Sequence, residues 1–136
     1  MTKVEGYRSL PSNCVALGEL PYRDVVKLHS RAYALLFPSM WEESLPYVVV
    51  ESMLMGTIPI AAKVGGVPEV VASPAEDYLF TPGDANEFMD KMEAVLTQSR
   101  DYLLDVSAKL RGHVLKLFNT EYVENRIVSL FESTSS

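Results

Sequence analysis

Residues 37–51, FPSMWEESLPYVVVE, decide how the chain is read: two carboxylates, Glu43 and Glu51, stand seven residues apart around an apolar stretch. The apolar run continues to Met55, and a charge at Glu51 inside it needs a polar partner that makes up for lost water. Val48, Val49 and Val50 favour a strand on propensity alone. The length of the run, Pro46 where a first helical turn would start and Gly56 where a helix would end argue instead for a buried helix from about Pro46 to Met55. Glu51 then sits one and a half turns in, and Glu43 precedes the helix in the loop after the strand AYALLF, residues 32–37. At a rise of about 1.5 Å per residue, the two carboxylates stand on the order of 10 Å apart. Between them lies the positive end of a helix, with free N–H groups and a dipole suited to phosphate. That layout fits an activated sugar, with sugar hydroxyls at one end, the diphosphate in the middle and ribose hydroxyls at the other.

Outward from this stretch, strand-like and helix-like segments alternate, the pattern of an α/β, Rossmann-like parallel sheet with helices on both faces. VALGEL (15–20) reads as a strand and turn, YRDVVKLHSRA (22–32) as a helix, and TIPIAA (57–62) as a third buried strand. GGVPEVV opens with a turn and leads through SPAED to a short strand, YLF (78–80). Ligands of such sheets bind beyond the carboxyl ends of the strands, so loops 18–20, 38–45 and 63–69 are the expected site walls. Asp84 and Glu87 make a capping-box-like start for a helix carrying Phe88, Met89, Met92, Val95 and Leu96. A second apolar stripe runs through Leu103, Val106, Leu110, Val114 and Leu117. Asn119 or Thr120 caps a last helix with Val123, Ile127, Leu130 and Phe131, and the tail STSS frays.

With 136 residues, 48% of them hydrophobic, the chain suffices for one core, and a single domain over 1–136 is expected. The one cysteine, Cys14, allows no internal disulfide, and no signal peptide or membrane-spanning run is evident, which favours a reducing, cytoplasmic setting. Eighteen acidic against twelve basic residues give a net charge of −6 without a basic cluster. This argues against nucleic acid or an anionic membrane as partner. The same acidity leaves the helix dipole to carry much of the attraction for phosphate. The chain has no G-x-G-x-x-G, no P-loop, no C-x-x-C and no G-x-S-x-G, so a dehydrogenase, P-loop enzyme or α/β hydrolase is not indicated.

Three motifs follow one another in order: PS-x-W-E-E-x-L-P-x-V-x-x-E, then M-x-x-G-T-x-P-I, then G-G-V-P-E-V-V. From about Val15 to the C-terminus they resemble the donor-binding, C-terminal part of retaining GT-B-fold glycosyltransferases of family 4, whose signature E-x7-E is met by Glu43 and Glu51. The resemblance implies a nucleotide-sugar site for a UDP- or GDP-sugar. Glu43 would contact the donor-sugar hydroxyls near the reaction centre, and Glu51 would bond the ribose. The backbone amides of Ser44 and Leu45 would approach sugar and phosphates, and Gly18, Gly65 and Gly66 would shape the backbone around the donor. No metal or other cofactor is implied, and the absence of an Asp-x-Asp pair agrees with a metal-independent class. Pro46 stands where many members carry glycine and offers no N–H, and SPAEDY (73–78) replaces a glycine-containing turn.

The resemblance also implies an N-terminal acceptor domain, and an Arg/Lys pair for the diphosphate on earlier strands. Neither is matched in this sequence, so the expectation is a truncated donor domain, inactive as an isolated chain, that self-associates or pairs with an acceptor domain. The alternative is a non-catalytic relic or partner subunit of the same fold, and a nucleotide-binding regulatory module is a third reading. Bland roles compete at single residues. Outside this motif string Glu43 reads as a solvated loop acid, and within it the functional role is favoured; the minority reading of Glu51 is a pair with a Lys or Arg. Gly65 and Gly66 read as a tight turn, and Trp41 and Tyr47 as packing. His29 and His113 read as structural, and Lys27, Arg31 and Lys63 as solvated surface.

Overall fold

The computed structural model describes residues 9–119 together with Glu121, Asn125, Val128, Ser129 and Glu132. In chain order they form α1 (Tyr22–Arg31), β1 (Ala34–Phe37), α2 (Tyr47–Leu54), β2 (Ile58–Ala62), α3 (Val67–Ala75), a 3-10 turn (Glu76–Tyr78), β3 (Leu79–Phe80), α4 (Ala85–Thr97) and α5 (Arg100–Leu117). The strands make one parallel sheet in the order β1-β2-β3. Ala34 lies opposite Ile58, and Phe37 opposite Ala61. On the other flank of β2, Ala61 and Ala62 lie opposite Leu79 and Phe80.

β2 is buried at all five positions, so both of its faces are covered, as expected for a central parallel strand. Pro59 is tolerated there because β3 pairs only with Ala61 and Ala62, leaving one flank of β2 without a partner at residue 59. The core joins Val49 and Met53 of α2, Ile58 and Ile60 of β2, Val67 and Val71 of α3, and Leu103, Val106, Leu110 and Val114 of α5. Each such side chain contributes about 1.5–3 kcal/mol on leaving water.

The helix over the valine run exists because the helix stop is strong. Gly56 takes φ +80, Thr57 N–H donates to the Ser52 carbonyl at 2.8 Å and Gly56 N–H to that of Met53 at 3.0 Å. These are the two bonds of a Schellman motif. The Thr57 hydroxyl then donates to the His29 carbonyl, tying the end of α1 to the start of β2. In α4, Asp84 accepts from Glu87 N–H at 2.9 Å as the sequence suggests. The Glu87 carboxylate, however, accepts from Thr81 N–H at 2.7 Å instead of closing the capping box.

Several expectations change. VALGEL forms no strand: among the described residues nothing pairs with it, and Val15 and Leu17 are exposed. α3 occupies residues expected to be turn and loop. Met89 and Leu96 face solvent, so only the Phe88, Met92 and Val95 side of α4 meets the core. Asn119 does act as a cap, accepting from Glu121 N–H at 2.9 Å. Val123, Ile127, Leu130, Phe131 and the STSS tail lie outside the described residues. No helix among the described residues is long and apolar enough to cross a membrane.

Candidate functional site

Glu43 is placed by backbone, not by its side chain. After β1 the chain runs through 38–46 at the carboxyl edge of the sheet, and after β2 it turns at 63–66 beside it. Gly66 N–H donates to the Glu43 carbonyl at 2.8 Å. A Cβ on Gly65 would fall 2.1 Å from the Glu43 carbonyl oxygen, and a Cβ on Gly66 would fall 2.2 Å from that of Ser44. Only glycine admits so close an approach, and Gly65 also takes φ +49. The two glycines therefore clamp the Glu43–Ser44 backbone against the turn that enters α3. The Glu43 carboxylate itself is exposed.

α2 starts immediately afterwards. Pro46, buried, sits at the cap position, and its carbonyl accepts from Val49 and Val50 at 3.0 and 3.1 Å. No side chain caps this end and no acid occupies its first turn. Among the described residues the amides of Ser44, Leu45, Tyr47 and Val48 have no hydrogen-bond partner. The helix end thus presents free N–H groups and the positive end of its dipole. The end of α3 that follows the Gly65–Gly66 turn is brought to the same edge. That second helix end escaped the sequence reading because Val70, Val71 and Pro74 looked unlike a helix. Pro68 and Glu69 in its first turn were the legible signal.

Glu51 is half-buried on α2, and the first turn of α1 brings Tyr22 near it. The hydrogen bond to the Glu51 carboxylate, and secondly its charge, raise the Tyr22 pKa above the ordinary 10.0. Neither ion pair found among the described residues, Lys27–Asp24 and Lys109–Asp105, involves Glu51. Gly18, φ +66, turns the chain toward α1.

The other candidates fall elsewhere. Trp41 and Tyr47, expected to pack, are 81% and 68% exposed at the rim beside Glu43 and the start of α2. Leu45 is half-buried against the core, and Ser44 is exposed. Lys63 lies near Glu87 and adds to lowering its pKa, whose first cause is the Thr81 N–H. Arg31 lines a cavity of about 520 Å³ with Tyr33, Gly56 and Arg100, at the amino ends of the strands and opposite Glu43. His113 bonds the Val70 carbonyl at 3.0 Å, joining α5 to α3. Among the described residues no three His, Cys, Asp or Glu side chains gather as metal ligands.

The sequence from residue 7 to residue 111 matches the family of glycosyl transferases group 1. The chain belongs to that family. Among proteins similar to it, sulfoquinovosyl transferase SQD2 of Arabidopsis thaliana is 35% identical over 74 residues, 49% of this chain and 14% of SQD2. WcaL of Escherichia coli K12, described as a colanic acid biosynthesis glycosyltransferase, is 24% identical over 121 residues, 85% of this chain and 30% of WcaL. Sucrose-phosphate synthase from Thermosynechococcus elongatus superimposes with a TM-score of 0.68 at 28% identity, over 86% of this chain and 29% of the synthase. The α/β fold is thus that of the GT-B glycosyltransferases. The chain spans less than a third of the length of each of these proteins.

Proposed function

We propose that this chain forms the donor-binding half of a retaining, family 4 glycosyltransferase and holds a UDP- or GDP-sugar at the carboxyl edge of its sheet. In this reading Glu43 accepts hydrogen bonds from hydroxyls of a hexose-type donor sugar, and Glu51 accepts those of the ribose. The diphosphate lies between them at the start of α2, met by the amides of Ser44 and Leu45 and by the helix dipole without a metal ion. Pro46 takes one amide out of that set. The observation that carries the reading is the clamp of Gly65 and Gly66 on the Glu43–Ser44 backbone, which holds the segment bearing the first carboxylate beside an uncapped helix end.

An acceptor domain completes the cleft. Two features support this: the greater length of the similar proteins, and the rim of exposed Met40, Trp41 and Tyr47 beside the site. Without that second wall the reacting groups are not oriented, and the isolated chain transfers sugar poorly, since orientation is worth about 7–11 kcal/mol of a barrier. The exposed free thiol of Cys14 suits a reducing compartment, the cytoplasm.

Ligand-observed NMR with UDP- and GDP-sugars tests the donor assignment. The expected result is weak, saturable binding of one of them, displaced by the matching free diphosphate. Absence of saturable binding for both would favour the non-catalytic alternative, a relic or a partner subunit of the same fold.

A further inference from the structure

The amino ends of the strands, opposite Glu43, carry a cavity of their own. The end of α1, the starts of β1 and β2 and the first two turns of α5 meet around about 520 Å³, with both Arg31 and Arg100 in the wall. The Thr57 hydroxyl donates to the His29 carbonyl and fastens the end of α1 to the start of β2. Gly56 lies against α5, where a Cβ on it would stand 3.6 Å from the Ser107 Cβ. Ser99 caps α5 by accepting from Tyr102 N–H at 3.2 Å, which fixes the backbone that carries Arg100. A smaller cavity of about 260 Å³ shares Tyr33, Arg100 and Leu103 with the first and continues to Leu96.

Charge and lining together select a ligand. The chain has eighteen acidic residues against twelve basic ones. Even so, among the described residues neither Arg31 nor Arg100 has an ion-pair partner, and Asp101, next to Arg100, pairs with neither. α1 presents the negative end of its dipole here and α5 the positive end, so the two guanidiniums set the sign of the site. A guanidinium binds phosphate through a two-pronged pair of hydrogen bonds. One phosphate dianion answers both arginines, whereas a carboxylate neutralises only one. Met55, Leu103 and Leu104 line the same wall, and Tyr33, Leu96 and Leu104 leave 72%, 74% and 57% of their surface exposed. This aliphatic path through both cavities suits an alkyl chain, and the larger volume lies in the usual range for small ligands, about 300–1,000 Å³.

We propose that this cavity binds an alkyl phosphate monoester, its dianion between Arg31 and Arg100 and its chain along Leu103 and Leu104. The site lies at the opposite end of the sheet from Glu43 and stands independently of the donor-site reading. It is tested on the full chain by protein-observed NMR titration with octyl phosphate, octanoate and inorganic phosphate. The variants are Arg31→Gln, Arg100→Gln and Leu104→Ser, with Arg111→Gln, on α5 outside the cavity wall, as the control for net charge. All four positions are exposed, and melting temperatures confirm that the variants fold.

The expected result is saturable binding of octyl phosphate that shifts the amide signals of Gly56 and Ser107, with octanoate and inorganic phosphate both weaker. Arg31→Gln and Arg100→Gln each weaken the ester about 3- to 10-fold, as for a partly solvated charged hydrogen bond. Leu104→Ser weakens the ester and leaves inorganic phosphate unchanged, and Arg111→Gln alters neither. Absence of saturable octyl phosphate binding, octanoate binding as tightly as the ester, or an effect of Arg111→Gln equal to those of the two cavity arginines would overturn the inference. Shifts centred on the Glu43 loop instead of Gly56 and Ser107 would do the same, because the ester would then occupy the donor edge.

Discussion

Gly66→Ala places one methyl group at the contact that fixes Glu43. The new Cβ would stand 2.2 Å from the Ser44 carbonyl oxygen and 3.1 Å from its carbon, where ordinary contact begins at 3.4 Å. The turn and the Glu43 loop must therefore part by about 1 Å. Both sides are backbone, so no flexible side-chain end can swing away. The 2.8 Å bond from Gly66 N–H to the Glu43 carbonyl is stretched by the same movement. Forcing a methyl group into filled space costs about 1–3 kcal/mol, and a weakened hydrogen bond adds up to about 1 kcal/mol. For a chain of 136 residues each kcal/mol lowers Tm by roughly 3–4 °C, so a fall of about 4–14 °C is expected. An ångström of displacement at Glu43 weakens its hydrogen bonds to the donor sugar, worth about 1.5–3 kcal/mol, and lowers nucleotide-sugar affinity by up to about 100-fold. The free diphosphate suffers less, because Glu51 is anchored in α2. Thermal melts and ligand-observed NMR on the same samples read both effects. Gly65→Ala, with φ +49 as well as a 2.1 Å clash, should be worse. Parent-like Tm and parent-like affinity for both ligands in Gly66→Ala would refute the clamp.

Three further outcomes follow from the fold. Burial first, then the hydrogen bond to Tyr102, pushes Tyr78 up to about 12 from the ordinary 10.0. Its contribution is full below pH 10, and roughly 3 kcal/mol is lost as pH rises toward 12. The stability difference between parent and Tyr78→Phe should shrink over that window, and a constant difference from pH 9 to 12 would contradict it. Met53→Ala, at a wholly buried position of α2, should cost about 2–5 kcal/mol in chemical denaturation; a loss under 1 kcal/mol would show that the α2–α5 contact is looser than described. β1 is an edge strand, with Leu36, Val15 and Leu17 exposed, and such edges recruit other chains. Light scattering should show mass rising with concentration, and a constant monomer mass over a wide range would count against this.

The sequence carried most of the sheet and one side of the site. β2 and α2 were legible because their boundaries rest on local chemistry: Pro46 at the start of α2, and Gly56 at its end with φ +80. VALGEL misled because alternation and β-propensity say what a segment tolerates, whereas a strand also needs a neighbour. α3 was missed because its valines and prolines score poorly as helix, although the burial of Val67 and Val71 overrides that preference. Glu43 and Glu51 stood out by their spacing. The closeness of Gly65 and Gly66 to the Glu43 loop could not be read locally. That contact joins segments over 20 residues apart. The same blindness to tertiary context assigned Trp41 and Tyr47 to packing.

The most direct test separates the two carboxylates. Nucleoside diphosphate and nucleotide sugar are titrated into the parent, Glu43→Ala and Glu51→Ala, with melting curves on each. The account predicts that Glu51→Ala weakens both ligands and Glu43→Ala only the nucleotide sugar, each lost charged hydrogen bond costing about 1.5–3 kcal/mol, or roughly 10- to 100-fold. If both variants bind the nucleotide sugar as the parent does, with the parent's binding clearly detected, these carboxylates do not form the donor site.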